Sequence, residues 1–482
     1  MNKAKVTFGL LVTTRGFFNP LLAKEGRSQL IKKLEELGHK VICLGEDDTN
    51  YGCVETYDDA VKCANLFKSK RDEIDGIIIS APNFGDESST VNAIRLADLG
   101  VPVLVHAFDD NLDKLDLDNR RDSFCGKLSI CSNLYQYAIP FTGTKVHTCS
   151  PDSEAFEKDI EFFNSVCSVV RGLRNIRIAQ FGARPAAFQT VRYSEKLLQR
   201  SGITCIPIDL SEVLAAAKNY SDKDRIEEKI QQIRAYGAVP AYIPQESIER
   251  SAKLTLAVEN LLEVNQCQAG AFQCWDSLQN NFGCASCLTM SMIGETGKPI
   301  ACETDVAGAV TMLALSCASG KPSGYFDWNN NYGDDRDKCI LIHCANYPKS
   351  FFASDFEISN LDILGASLGY DKCFGACKGR VAAGDVTYAR ISTDDFAGKI
   401  KCYVGEGRLT NDPIDTKGGP AVIQVPELQK LMHYICNNGF EHHVAMNRAL
   451  VSDALEEALG KYLGWDVYAH RCQTNKSEIV LC

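Results

Sequence analysis

The chain has no run of 18 apolar residues, so nothing in it predicts a membrane-spanning helix. It has no basic stripe and carries a net charge of −11, which excludes the electrostatic footprint of a nucleic-acid binder. Neither GxSxG nor HExxH occurs, leaving serine-hydrolase and zincin chemistry without support. GETGK, at Gly294 to Lys298, has Met292 where a phosphate-binding loop needs its first glycine. The loop after the first apolar run, TTRGFFNP, is not GxGxxG, so a dinucleotide site has no support either. Internal repeats and low-complexity segments are missing. KVTFGLLVTTRG has too short an apolar run for a signal peptide, and a cytoplasmic protein with no membrane or nucleic-acid partner is expected.

What is present is ordinary globular material. The 482 residues are 45% hydrophobic and 23% charged, enough for two or three domains with ample cores. The 22 cysteines are scattered through apolar stretches, as small reduced core residues are. Cys284 and Cys287 form a CxxC, and Cys373 and Cys377 sit four apart. Neither pair has a partner at ribbon or finger spacing, so no zinc site is expected from them.

Short apolar runs alternate with helical periods over residues 1–170. VTFGLLV, KVICLG, DGIIISAP and VPVLVHAF read as strands, with amphipathic helices such as LLAKEGRSQLIKKLEELG between them. That alternation predicts a doubly wound parallel sheet. A second series of the same kind begins at NIRIAQFG and continues through ITCIPIDL, AGAFQCW and PIACE, giving a central domain over 171–355. After about Leu361 the texture changes. RVAAGDVTYARIST and GKIKCYVGEGRL alternate at period two between Gly and Asp turns, as antiparallel strands do. A β-rich, barrel-like domain is therefore expected over 356–482.

Three apolar runs between Lys298 and His343 end on side chains able to hold a metal: Glu303 after PIAC, Asp327 after GYF, and His343 after CILI. Ligands bind outside the carboxyl ends of strands in open α/β sheets. Glu303 and Asp327 lie 24 residues apart, the span between neighbouring parallel strands. Two carboxylates so placed suit one hard cation such as Mg²⁺ or Mn²⁺, although a single acid is more commonly a cap or a loop residue. A lone histidine such as His343 is more often structural than a ligand. His442 and His443 are adjacent, and in an extended segment they point to opposite sides, so one of the two is expected to reach a metal. Asp305 is expected to cap the helix that begins VAGAVTML.

With these residues the sequence resembles the L-fucose isomerase and L-arabinose isomerase superfamily. The likeness rests on the strand–Glu303–Thr–Asp305–helix segment, Phe326-Asp327, ILIH with His343, and NNGFEHHVA. It runs over the whole chain, in the order of two Rossmann- or flavodoxin-like domains followed by a β-rich one. The resemblance implies an aldose–ketose isomerase acting on an open-chain sugar through a cis-enediol. It implies Mn²⁺ or a similar ion (Mg²⁺, Co²⁺) held by Glu303, Asp327 and His442, with His343 matching a further arabinose-isomerase histidine. Glu303 and Asp327 would be both ligands and acid/base groups.

The resemblance also implies a homohexamer with sites shared between subunits. Arg15 and Phe18 sit in the N-terminal loop that would serve a neighbour's site, while Arg184, Gln189 and Trp275 are candidates to hold the sugar. Arg380, Arg390 and Arg408 are candidates for an anionic substituent, as on sulfoquinovose, against the commoner role of solvated surface. Two other readings compete: a non-catalytic sugar-binding or regulatory protein on the same fold, and a metal-dependent hydrolase or aldolase.

Overall fold

Isoleucine, valine and leucine crowd the short strands of the first 110 residues because both faces of these strands are covered. In the computed structural model, which describes residues 4–344, 346–354 and 356–471, they form one sheet. Its strands are β1 (Thr7–Val12), β2 (Lys40–Ile42), β3 (Gly76–Ala81), β4 (Val103–Ala107) and β5 (Thr142–Gly143). The order is β2-β1-β3-β4-β5, with every pair parallel. Helices cover it, among them Tyr57–Ser69, which starts at a capping box made by Thr56 and Asp59. Phe67, Ile77, Ile79, Val91 and Val105 are among the residues packed in its core. The compact unit so built comprises Ala4–Arg171 and Glu457–Gly464.

A second unit comprises Gly172–Glu456 and the segment from Trp465. It holds a four-stranded parallel sheet of β6 (Ile176–Phe181), β7 (Ile203–Ile208), β8 (Ala269–Phe272) and β9 (Ile300–Cys302), in the order β7-β6-β8-β9. The chain then makes β10 (Ser323–Tyr332) and β11 (Asp335–Ile342), a short antiparallel pair β12 (Glu357–Asn360) and β13 (Phe374–Lys378), and β14 (Gly384–Asp394). β15 (Lys399–Thr410), β16 (Ala421–Gln424), β17 (His443–Asn447) and β18 (Asp466–His470) follow. The order β14-β17-β10-β11-β16-β15-β18, with β14 also paired to β15, closes six strands into a cylinder and leaves β18 on its flank. Among the described residues no helix is long and apolar enough to cross a membrane.

The strands that carry Asp327 and end before His343 differ from expectation. They are not parallel neighbours of β9. β10 and β11 pair antiparallel with each other, joined by Gly333 and Asp334, with Gly333 at φ +57°. A two-residue link with a left-handed glycine is a hairpin signal, and YGDD carries it. The apolar runs report burial, which is the same for either direction of pairing.

One helix ties the parallel sheet to the cylinder. Val306–Ser319 is apolar around its whole circumference, as a helix buried on every side must be, and it packs against β8 and β9 as well as β14 and β17. Its N-terminus is where the candidate site forms.

Candidate active site

β9 ends at Cys302, and the next two residues turn with left-handed backbone, φ +59° at Glu303 and +60° at Thr304. Non-glycine residues rarely hold that conformation, and two in succession concentrate strain. The turn is pinned by the Thr304 amide, which donates to the Phe272 carbonyl at 3.0 Å. Asp305 then caps the helix, its Oδ1 accepting from the Gly308 amide at 2.8 Å. Glu303 is left facing a cavity, and Asp305 is buried in the core.

Around Asp305 a charged cluster is sealed from solvent. Arg390, fully buried, donates from both terminal nitrogens to Asp305, at 2.7 and 3.1 Å, and from Nε to Glu441 Oε2 at 3.0 Å. Ser392 donates to the other Glu441 oxygen at 2.7 Å, and the Tyr325 hydroxyl to Asp305 Oδ2 at 2.5 Å. Tyr325 gets that close because Gly308 has no Cβ; one built there would strike its hydroxyl. Burial alone would raise the Asp305 pKa, but the charges of Arg390 and His443 outweigh it and hold the carboxyl well below its usual range. A buried carboxylate with a buried guanidinium fork survives only because nearly every lone pair is used.

His443 completes the cluster and reaches out of it. Its Nδ1 lies 2.9 Å from Asp305 Oδ2, so the ring is oriented from behind by a carboxylate, the arrangement that fixes metal-binding imidazoles. Its Nε2 lies 2.9 Å from Glu303 Oε2 and 3.5 Å from Asp327 Oδ1. Asp327 arrives there because β10 and β17 set it directly across from His443, and cross-strand partners are neighbours. Burial pulls the His443 pKa down, yet the carboxylates of Asp305, Glu303 and Asp327 that face its ring raise it to about 9.

Glu303 Oε2, Asp327 Oδ1 and His443 Nε2 are all buried without a hydrogen-bond partner. Unpaired buried polar atoms are costly, and the Glu303 and Asp327 oxygens both face His443 Nε2; donor atoms of Glu303, His343 and His443, and separately of Asp327, His442 and His443, lie within 4.8 Å of one another. Ligands of an octahedral ion at about 2.1 Å sit about 3.0 Å apart, close to the separations around His443 Nε2. Two carboxylate oxygens and an imidazole nitrogen are a donor set for Mn²⁺, Mg²⁺ or a similar ion. The residues fit a divalent cation.

Comparison with known proteins bears on what this arrangement serves. Residues 9–174 match the family "Fucose/sulfoquinovose isomerase, N-terminal domain", and residues 341–471 match "L-fucose isomerase, C-terminal domain". The chain belongs to the fucose/sulfoquinovose isomerase family. A sulfoquinovose isomerase of Priestia aryabhattai is 22% identical over 398 residues, covering 82% of this chain and 85% of that one. One from Alkalicoccus urumqiensis is 22% identical over 331 residues, 68% of this chain and 70% of its own. A solved periplasmic solute-binding protein of Actinobacillus succinogenes with bound D-allose covers 65% of this chain and 92% of its own at 12% identity. Its TM-score of 0.16 carries no argument. The protein is an aldose–ketose isomerase whose substrate is a small sugar.

The cavity of this fucose/sulfoquinovose isomerase has a volume of about 730 Å³, with Glu303, Asp327 and His343 on its wall beside Trp275 and Phe188. Trp275 donates from Nε1 to Glu303 Oε1 at 3.2 Å, and Phe188 meets Trp275 edge-on with centroids 5.4 Å apart. His343 is buried, its Nδ1 3.4 Å from Cys344 Sγ and its ring centroid 5.9 Å from that of His443. Of the two adjacent histidines, His443 is the buried one that faces both acids. His442 has a side chain 40% exposed, its Nε2 is 3.9 Å from Asp327, and Phe188 meets its ring edge-on. Burial and the charge of His443 lower its pKa.

Arg184, Gln189, Arg380, Arg390 and Arg408 do not line this cavity. Arg184 donates to its own loop at Pro185, and Gln189 is exposed at the start of a single turn of helix. Arg15 and Phe18 belong to the first unit, where Arg15 pairs with Glu87, donates to the Gly85 carbonyl at 2.8 Å and lies over Phe84, which Phe18 stacks on. Arg380 donates to the Asp412 carbonyl and Arg408 pairs with Asp385. Arg390 is neither solvated nor available to an anion, because Asp305 and Glu441 use its charge. Phe188, Tyr325 and Glu441 were not singled out by the sequence reading. Asp305 was, as a helix cap and as part of the segment that carries the resemblance.

Proposed function

We propose that this isomerase is metal-dependent and interconverts an open-chain aldose and its ketose through a cis-enediol, with Glu303, Asp327 and His443 as the ligands of one divalent ion. The observation that carries the reading is that two buried, unpartnered carboxylate oxygens, of Glu303 and Asp327, both face the equally unpartnered Nε2 of His443. Bound there, Mn²⁺ or an ion of its kind would polarise adjacent sugar oxygens and acidify the C–H beside the carbonyl. The chain supplies the proton movements. One carboxylate of the Glu303–Asp327 pair takes the proton from C2 and returns it to C1, while the other carries the O2 hydroxyl proton to O1. Trp275 holds one Glu303 oxygen and leaves the second, Oε2, facing His443. Asp305, through Nδ1, keeps His443 turned toward both acids. Phe188 and Trp275 present apolar faces that suit the C–H side of a sugar and keep water out.

For the substrate the reading favours a sulfonated hexose of the sulfoquinovose kind over fucose-like or arabinose-like sugars. The curated relatives carry that name, and two cations, Lys378 and Lys417, stand on the cavity wall on either side of Asp362, at 2.7 and 3.6 Å from its oxygens. The test is a panel of sulfoquinovose, fucose and arabinose given to chelator-treated enzyme with and without Mn²⁺, read as ketose formed. Ion-dependent turnover with sulfoquinovose preferred is expected. Full activity in excess chelator would overturn the metal, and equal rates on neutral sugars would overturn the anion preference. Assembly as a homohexamer in the cytoplasm completes the reading; an active species sedimenting at the 53.0 kDa of one chain would overturn the assembly.

A further inference from the structure

Four cysteines from four separate elements meet beside this cavity. Cys274 follows β8, Cys302 ends β9, Cys287 opens the helix Cys287–Glu295, and Cys344 follows β11. Cys274, Cys287 and Cys302 are buried. Cys274, Cys287 and Cys344 line the cavity wall. The thiols shift one another's ionisation, Cys274 with Cys302, Cys302 with Cys344, and Cys344 with Cys287. His343 adds a nitrogen, its Nδ1 3.4 Å from Cys344 Sγ. One donor atom each from Cys302, His343 and Cys344 lie within 4.8 Å of one another.

We propose that Cys302, Cys344 and His343 Nδ1 form a second metal site, for a soft or borderline ion of the Zn²⁺ class. A tetrahedral ion with sulfur at about 2.3 Å and nitrogen at about 2.0 Å places those two atoms about 3.5 Å apart, the separation already present between Cys344 and His343. Two thiolates and an imidazole are three of the four donors such an ion takes. The two sites differ in chemistry: thiolates select soft ions, whereas the carboxylates of Glu303 and Asp327 select hard ones. Binding releases the thiol protons to solvent and involves no oxidation. Its effect is to fasten the ends of β9 and β11 together, so that Glu303, next to Cys302, is held from behind. Cys274 and Cys287 stand on the cavity wall and are not ligands.

The test uses the full chain, reduced and stripped of metal, titrated with Co²⁺ while near-ultraviolet absorption is recorded. A thiolate-to-cobalt charge-transfer band is expected to saturate at one equivalent and to vanish when Zn²⁺ is added. Cys302→Ser and Cys344→Ser should abolish the band, while Cys274→Ser and Glu303→Gln should keep it. Cobalt uptake with no such band in the unmutated protein overturns the site and leaves the thiols as core packing. So does persistence of the band in either Cys302→Ser or Cys344→Ser. If those variants fail to fold, X-ray absorption of the zinc-loaded wild-type chain decides: sulfur neighbours at about 2.3 Å support the site, and nitrogen and oxygen neighbours alone refute it.

Discussion

Each compact unit of this isomerase buries a histidine on a strand, and the two have opposite fates. On β4, His106 has Nδ1 2.9 Å from the Ser80 hydroxyl and Nε2 2.9 Å from the Cys149 carbonyl. The carbonyl can only accept, so Nε2 carries the proton, Nδ1 accepts from Ser80, and the neutral ring is satisfied. Burial pushes its pKa down to about 4, against the small upward pull of the Cys149 carbonyl. On β17, His443 is equally buried, but carboxylates face both its nitrogens and its pKa rises to about 9. Burial is therefore silent about function. What separates the two histidines is whether a ring nitrogen faces a carboxylate oxygen that has no other partner.

The comparison can be broken most sharply at Glu303. Glu303→Gln should cut turnover by roughly 10³-fold or more, the scale of a lost acid/base group, with the melting temperature unchanged; retained turnover would remove Glu303 from the chemistry. Next in size is Arg390→Met, which leaves Asp305 and Glu441 buried and uncompensated. Unfolding by urea should register a loss of about 3–5 kcal/mol. The exposed Arg408–Asp385 pair is the contrast: Arg408→Met should cost no more than about 1 kcal/mol.

Acidity separates the two histidines themselves. A pKa lowered from 6.5 to about 4 means that His106 contributes stability above pH 6.5 and loses it as pH falls through 4, about 3 kcal/mol in all. His443 has the opposite sign. In metal-free protein its contribution is fully present below pH 6.5 and is lost as pH rises through about 9. Denaturant unfolding across this range should show an acid limb that His106→Asn flattens and an alkaline limb that His443→Asn flattens; limbs that ignore both substitutions would contradict the assignment. The smallest effect expected is at His442. His442→Ala should weaken activation by Mn²⁺ less than about tenfold, below the usual range for partners of a ligand, whereas His443→Ala should all but abolish it. The reverse ranking would make His442 the ligand.

Much of this was legible because it is local. The alternation of strand and helix over the first 110 residues, the period-two texture after Leu361 and the Asp305 cap each follow from neighbours in sequence. Glu303, Asp327 and the His442–His443 pair stood out because polar ends on apolar runs are conspicuous. What sequence periodicity could not carry was direction and distance. β10 and β11 read as parallel strands because an apolar run looks the same in either pairing, although YGDD held the hairpin signal. Arg390 looked like a surface arginine because its partner Asp305 lies 85 residues away, and the orienting role of Asp305 needs His443, 138 residues on. Phe188 had no signal at all: one aromatic in a loop is unremarkable until a fold brings it beside Trp275.

That separation has a consequence for how the enzyme comes into being. Contacts across more than a hundred residues close late, after the local structure on either side is in place. A polypeptide emerging from the ribosome has Glu303 long before β17 exists, and until β17 arrives the carboxylates have no imidazole between them. Catalytic competence should therefore appear abruptly, with the last strands, and the return of activity after dilution from denaturant would time that final event.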